Sequence, residues 1–160
     1  MDTLARFFTR AAAVVALAVA GSAANAADLT TQDYIDIEQL YATYNHAIDS
    51  GDGDAWAATF TPDGTFNTRF TGKEALVGFI KMWREKMNGA NRRHWNSNLR
   101  ITSSAEGASA TVMLMLLDVG TKPPSIVSTG QYTDVLVKTP NGWRFKTREV
   151  KIDAPPAVKS

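Results

Sequence analysis

The chain carries only two histidines, His46 and His94, and no cysteine. Histidine is the side chain that titrates near neutrality without help, so it suits the removal of a proton from carbon beside a carbonyl and its delivery elsewhere. Asp49 is the carboxylate to set beside it. It closes the segment Thr30–Ser50 (TTQDYIDIEQLYATYNHAIDS), and the C-terminal end of a helix disfavours anions. A carboxylate held there needs a partner. His94 would serve, with Asp49 fixing its tautomer and stabilising its charged form, and so would an arginine. A phenol aimed at developing negative charge is an oxyanion donor, and Tyr44 carries one on the same helix. It lies five residues before Asp49, about 140° around an ideal helix, so the two cannot both point straight at one ligand unless a pocket wraps the helix. Plain structural roles stay open at this point: a surface strand histidine beside Arg92 and Arg93, a helix-end aspartate, and a core tyrosine with a satisfied hydroxyl.

These residues must be positioned by secondary structure, and the periodicity is informative. In Thr30–Ser50 the residues Tyr34, Ile37, Tyr41, Tyr44 and Ile48 recur at helical spacing, with Thr30 or Thr31 as cap and Asp33 and Asp36 in the first turns. Ser50-Gly51-Asp52-Gly53 breaks the helix. A short second helix follows over Asp54–Phe60, then a Thr61-Pro62-Asp63-Gly64 turn and a first strand over Thr65–Phe70. Gly72–Met87 reads as a third helix with Leu76, Phe79, Ile80 and Trp83 on one face. Strands are expected over Arg92–Ser103, Ala108–Val119, Ile126–Lys138 and Trp143–Ile152, the last two joined at Asn141-Gly142. Ala108–Val119 is apolar on both faces, as for a strand covered on both sides. Helices segregated from a run of long antiparallel strands give an α+β class: about three N-terminal helices packed on one face of a strongly curved sheet. Such a cone has one open end and can enclose a ligand.

Alternation puts His94, Asn96 and Asn98 on one strand face, and Trp95, Leu99 and Ile101 on the other; either face can be the inner one. Met113 and Met115 suit an adaptable apolar pocket or plain core. Arg69, Arg144 and Arg148 could recognise a carboxylate, but exposed strand arginines are the commoner case; His46 is read as facing solvent. There is no metal-ligand cluster, phosphate-binding glycine loop, serine-nucleophile motif or nucleotide fingerprint. A pocket in this chain is expected to work without a cofactor or metal. The absence of cysteine also excludes disulfides and thiol chemistry.

The first residues, MDTLARFFTR, are positive. An apolar run Ala11–Ala20 follows, then Ala24-Asn25-Ala26. A charged start, a short apolar core and a small-x-small site are the parts of a secretory signal cleaved near Ala26, and the run is shorter than the roughly 20 residues of a membrane span. The expectation is a periplasmic or secreted domain over 27–153, with a loose tail over 154–160 and no membrane attachment after cleavage. Lys and Arg number 17 against 16 Asp and Glu, a balance that gives no support to a nucleic-acid partner.

The text Tyr44-Asn45-His46-Ala47-Ile48-Asp49-Ser50-Gly51-Asp52 resembles the Y-x-x-A-h-D-x-x-D stretch (h, apolar) of SnoaL-like proteins. Trp56, Phe60, Pro62-Asp63-Gly64 and Phe66 follow at matching distances. Arg93-His94-Trp95-Asn96-Ser97-Asn98 is similar to the family's H-x-x-x-N strand, and Gly130-Gln131-Tyr132-Thr133-Asp134 and Gly142-Trp143-Arg144-Phe145 to its last two strands. The resemblance implies the nuclear-transport-factor-two-like cone, shared by polyketide cyclases, scytalone dehydratase, ketosteroid isomerase and limonene epoxide hydrolase. It places Asp49 and His94 opposite each other in a pocket, as in scytalone dehydratase, and Tyr44 on the enolate-binding tyrosine of ketosteroid isomerase, which makes Tyr44 the third candidate. It implies a small, mostly apolar carbonyl ligand in a pocket lined by Tyr41, Trp56, Phe60, Phe66, Trp83, Asn96, Asn98, Met113, Met115 and Tyr132. It also implies a homodimer through the sheet. Two departures matter. Asn67 or Thr68 stands where ketosteroid isomerase has its aspartate base, and Val112–Leu116 lacks the second histidine of scytalone dehydratase. The reaction classes left are dehydration, isomerisation and aldol-type cyclisation; the alternative is a non-catalytic ligand-binding or interaction domain.

Overall fold

The computed structural model describes residues 28–153; the expected leader and tail lie outside the described residues. The elements run α1 (Thr31–Ser50), α2 (Gly53–Ala57), β1 (Phe60–Phe66), β2 (Phe70–Thr71), α3 (Gly72–Lys86), a 3-10 turn (Gly89–Asn91), β3 (Arg92–Ser104), β4 (Gly107–Asp118), β5 (Ser125–Thr139) and β6 (Gly142–Ile152). One six-stranded sheet has the order β2-β1-β6-β5-β4-β3. Only β1 and β6 run parallel. The helices pack on one face of this curved sheet, the α+β cone expected from the element order.

Thr30 caps α1 in a capping box with Asp33. Asp33 is buried and also accepts from Trp143 Nε1 at 3.0 Å and Lys138 Nζ at 2.7 Å. Successive helix positions lie about 100° apart, so turning Asp33 toward the sheet turns Tyr34 out. Tyr34 is 41% exposed, a correction to its expected place on the core face. That face is Ile37, Leu40, Tyr41, Tyr44, Ala47 and Ile48. Across it lie Trp56, Phe60, Phe66, Phe79 and Phe145, all buried, with Trp56 at the centre: its ring centroid lies 5.0–5.4 Å from those of Tyr44, Phe60, Phe66 and Phe79. Each such side chain contributes roughly 1.5–3 kcal/mol on burial.

The sequence pattern mislocates three features, each for a local reason. β1 runs through the expected Thr61-Pro62-Asp63-Gly64 turn; its ladder with β6 is instead interrupted there, Phe60 pairing with Phe145 and Thr65 with Thr147. The loop of the first hairpin falls later, at Asn67 and Thr68, both at positive φ. β4 is covered mainly on one side: Ala108, Ala110, Val112, Leu114 and Leu116 are buried, while on the other Met113 is 45% exposed and Leu117 alone is buried.

Two β-bulges reverse which residues face inward. In β3 the register shifts between Ser97 and Arg100, where Asn98 takes φ 55°. Before the bulge His94 is buried and Trp95 is 63% exposed; after it, Leu99 and Ile101 turn to the core. In the β5–β6 pair, Val135 faces Thr147 and Leu136 faces Phe145, so Lys146 is the extra residue. Trp143 and Phe145 face inward before it, and Arg148 after it. A bulge of this kind puts two residues opposite one and inverts the alternation beyond it.

Candidate active site

Gly51 ends α1 in the left-handed conformation, φ 77°, which a side chain rarely adopts. The last helical turn therefore delivers Asp49 next to the start of β3. There Asp49 Oδ1 lies 2.7 Å from His94 Nδ1, and the His94 backbone N–H donates to Asp49 Oδ2 at 3.1 Å. One carboxylate thus grips one residue twice. An ionised carboxylate only accepts, so in the neutral ring the hydrogen belongs on Nδ1 and the lone pair on Nε2. The Trp83 ring packs 5.7 Å from the imidazole.

His94 forms part of the wall of a cavity of about 630 Å³, a size typical of small-molecule sites. Ile48, Phe66, Phe79, Trp83, Leu114, Leu116, Tyr132, Val150 and Ile152 supply an apolar lining. Asn67, Lys86, Asn88, Arg92 and Ser128 add polar groups. The arrangement is a base oriented by a carboxylate beside an apolar chamber, able to accept a proton at Nε2 from a molecule held there. Asp49 lines a separate groove together with Asn45, His46, Arg93, Trp95 and His94 itself. Among the described residues no group of three or more His, Cys, Asp or Glu could hold a metal ion.

The other expected site residues divide. Phe66, Trp83 and Tyr132 line this cavity. Tyr44 does not: it is fully buried, and its hydroxyl is sealed without a hydrogen-bond partner. Burial raises its pKa far above the usual phenol value. Trp56 is core, Phe60 borders a different groove, and the Tyr41 hydroxyl donates to Asp134. Asn96 accepts from Asn45 and donates to the Met113 carbonyl at 3.3 Å, outside the cavity. Asn98 is exposed at its bulge, and Met113 and Met115 sit on the outer sheet face opposite Leu114 and Leu116. The family-based register fails for Asn98 because the bulge breaks the alternation it assumed.

The pattern also missed a second polar centre. Arg148, read as an exposed strand arginine, is 0% exposed and paired with Asp134, which is 1% exposed, at 3.2 Å. The two stand directly opposite on β6 and β5. The guanidinium carbon lies 3.8 Å from the ring centroid of Tyr132, 4.2 Å from Tyr44, 4.6 Å from Phe145 and 4.8 Å from Tyr41. Burial pushes the Asp134 carboxyl up to about 6, against the opposing pull of Arg148 and the Tyr41 hydroxyl. Arg148 Nε and Nη2 and Asp134 Oδ1 are sealed without partners. Alternation from Trp143 and Phe145 puts Arg148 outward, and only the bulge at Lys146 turns it in. The available signal was Asp134, a lone acid in the row Tyr132, Asp134, Leu136.

A family model described as SnoaL-like domain matches residues 29–149. An uncharacterized protein of Mycobacterium tuberculosis is 28% identical over 121 residues, 72% of this chain and 82% of that relative. Among solved structures, a Mycobacterium tuberculosis protein of unknown function superposes with a TM-score of 0.70 at 24% identity, over 79% of this chain and 75% of the other. ActVI-ORFA from Streptomyces coelicolor gives 0.66 at 23% identity, over 78% and 98%. A Catenulispora acidiphila protein solved in complex with S-DNPA gives 0.68 at 27% identity, over 78% and 96%.

Proposed function

Because the chain belongs to the SnoaL-like domain family, we propose that it binds a small, mostly apolar carbonyl compound and moves a proton on it, with His94 as base and Asp49 as the group that holds His94. In this reading Nε2 takes a proton from carbon beside the carbonyl. The C–H electron pair forms a C=C bond as the carbonyl π pair moves to oxygen. Protonated His94, stabilised by Asp49, then returns the proton to another carbon in an isomerisation, or to a leaving hydroxyl that departs as water in a dehydration. In an aldol-type cyclisation the enolate carbon attacks a second carbonyl. No step calls for a cofactor.

The observation that carries this reading is the double grip of Asp49 on His94 at the wall of an apolar cavity. The fold-mate from Catenulispora acidiphila, held in complex with S-DNPA, supports a small-molecule ligand. The test is proton exchange at the α-carbon of 2-tetralone in D2O, followed by NMR. The wild type is expected to accelerate exchange over buffer, and His94→Ala to return it to the buffer rate with the fold intact. A wild type no faster than buffer rejects the catalytic reading.

One observation favours a second reading, ligand binding without turnover: Tyr44, the phenol expected to meet the ligand, is sealed in the core. Native mass spectrometry of the purified protein, with a retained unaltered ligand and no exchange activity, would support it. The proposal includes export through residues 1–26, checked by N-terminal sequencing of the mature protein. It also includes a homodimer through the outer sheet face, where the Trp95–Met115–Thr129 row is adjacent to Met113; mass measurement of Trp95→Asp against wild type tests it.

A further inference from the structure

Three phenols surround Arg148, and they have different fates. The Tyr41 hydroxyl is taken by Asp134. The Tyr44 hydroxyl is sealed off. Tyr132 alone of the three lines the cavity that His94 also lines, and its ring is the one nearest the guanidinium, at 3.8 Å. We infer that Tyr132 is the hydrogen-bond donor that receives the carbonyl oxygen of the bound ligand, and that Arg148, anchored by Asp134 beneath the Tyr132 ring, is its positioning residue. This rests on the small-molecule pocket proposed above and names the group that reads the ligand's polar end.

The physics supports a division of labour. A cation against the face of an aromatic ring is held by the ring's quadrupole, and it draws electron density from the phenol, making the O–H a stronger donor. Burial works the other way, raising the Tyr132 pKa, while Arg148 opposes that rise. A buried ion pair is a costly way to fill a core, since apolar residues of similar volume often stabilise as well or better. Retaining a fully buried arginine here is accounted for if its charge serves the one phenol that reaches the chamber. The strand register separates the two working groups. Tyr132 pairs with Val112 and His94 with Leu116 on the intervening strand, so the two Cα positions lie two strands and four residues apart, roughly 16 Å along the sheet before curvature and side-chain reach shorten the gap. A ligand lying between them has its carbonyl oxygen turned toward Tyr132 and the adjacent C–H turned toward His94.

The test compares 2-tetralone with tetralin, the same body without the carbonyl. Binding is followed by tryptophan fluorescence, since Trp83 lines the cavity, and the carbonyl stretch of bound 2-tetralone by infrared difference spectroscopy. Tyr132→Phe keeps the ring over Arg148 and removes only the hydroxyl. It is expected to weaken 2-tetralone about three- to tenfold, leave tetralin unchanged and abolish the hydrogen-bond red shift of the carbonyl band. Arg148→Lys is expected to retain most of that red shift, and Arg148→Met, in the fraction that folds, to lose much of it. Equal affinity of wild type and Tyr132→Phe for 2-tetralone, or an unchanged carbonyl band, overturns the assignment while leaving the pocket intact. If wild type binds neither probe, the pocket reading falls and this inference falls with it.

Discussion

Among the described residues two acid–base pairs, one part-buried and one sealed, are built in opposite ways. His94–Asp49 joins a helix end to the first long strand; both residues border a groove, and His94 also borders the apolar cavity. Arg148–Asp134 joins neighbouring strands and is closed in by four aromatic rings. The first keeps a nitrogen free for a visiting molecule. The second presents its charge only through the aromatic faces around it. Sealing a pair makes it costly to disturb, because removing one partner leaves an uncompensated buried charge. A pair at a cavity wall can lose a member to solvent at less cost. Stability and chemistry should therefore separate between the two regions.

Substitutions can break that separation. The largest expected effect is on folding: Arg148→Ala should lower the unfolding free energy by about 3–5 kcal/mol, read by urea denaturation, whereas His94→Ala should cost less than about 2 kcal/mol. An equal loss at both sites would erase the contrast. In rate the order reverses. His94→Ala should slow α-proton exchange of 2-tetralone on the order of 10²–10⁴-fold. Asp49→Asn preserves the shape but removes the charge and puts an NH2 donor in place of one of the two accepting oxygens; it should slow exchange roughly ten- to a hundredfold while the melting temperature moves little.

Acid titration sharpens the contrast between carboxylates. Asp33 is held well below the usual range by Lys138, Thr30 and Trp143. Its contribution is present above pH ~4 and is lost as pH falls below that. Asp134 is raised to about 6, so the folded state binds its proton more tightly than the unfolded chain, and stability falls as pH rises from about 4 through 6. Asp134→Asn should flatten the slope in that upper window, and Asp33→Asn the slope on the acid side. Chemical denaturation at pH steps from 3 to 8 checks both, and a slope of opposite sign in the upper window would contradict the burial argument for Asp134. The smallest effect is expected on the outer sheet face. Trp95→Ser, at a 63% exposed position, should change monomer stability by no more than about 0.5 kcal/mol, and a larger loss would mean that this face is covered.

Much of this architecture was legible in the residues. The helical spacing of Ile37, Tyr41, Tyr44 and Ile48, the cap at Thr30 and the Asn141-Gly142 hairpin give α1, β5 and β6 within a residue or two. That Asp49 needs a partner was legible too, because a carboxylate at a helix C-terminus is electrostatically misplaced unless something answers it; the choice of His94 over an arginine came from the family resemblance. Asn98, Met113, Met115 and Arg148 were not, since each depends on which side of a strand faces the helices.

The sequence by itself determined the α+β layout, the family pattern and the acid in need of a partner, because these follow from local spacing and charge along the chain. Tertiary structure decided the rest: which sheet face became the interior, where two bulges inverted it, and that a strand arginine would be buried among tyrosines. Alternation specifies two faces without ranking them. Only long-range pairing, with one extra residue at each bulge, assigns the inside.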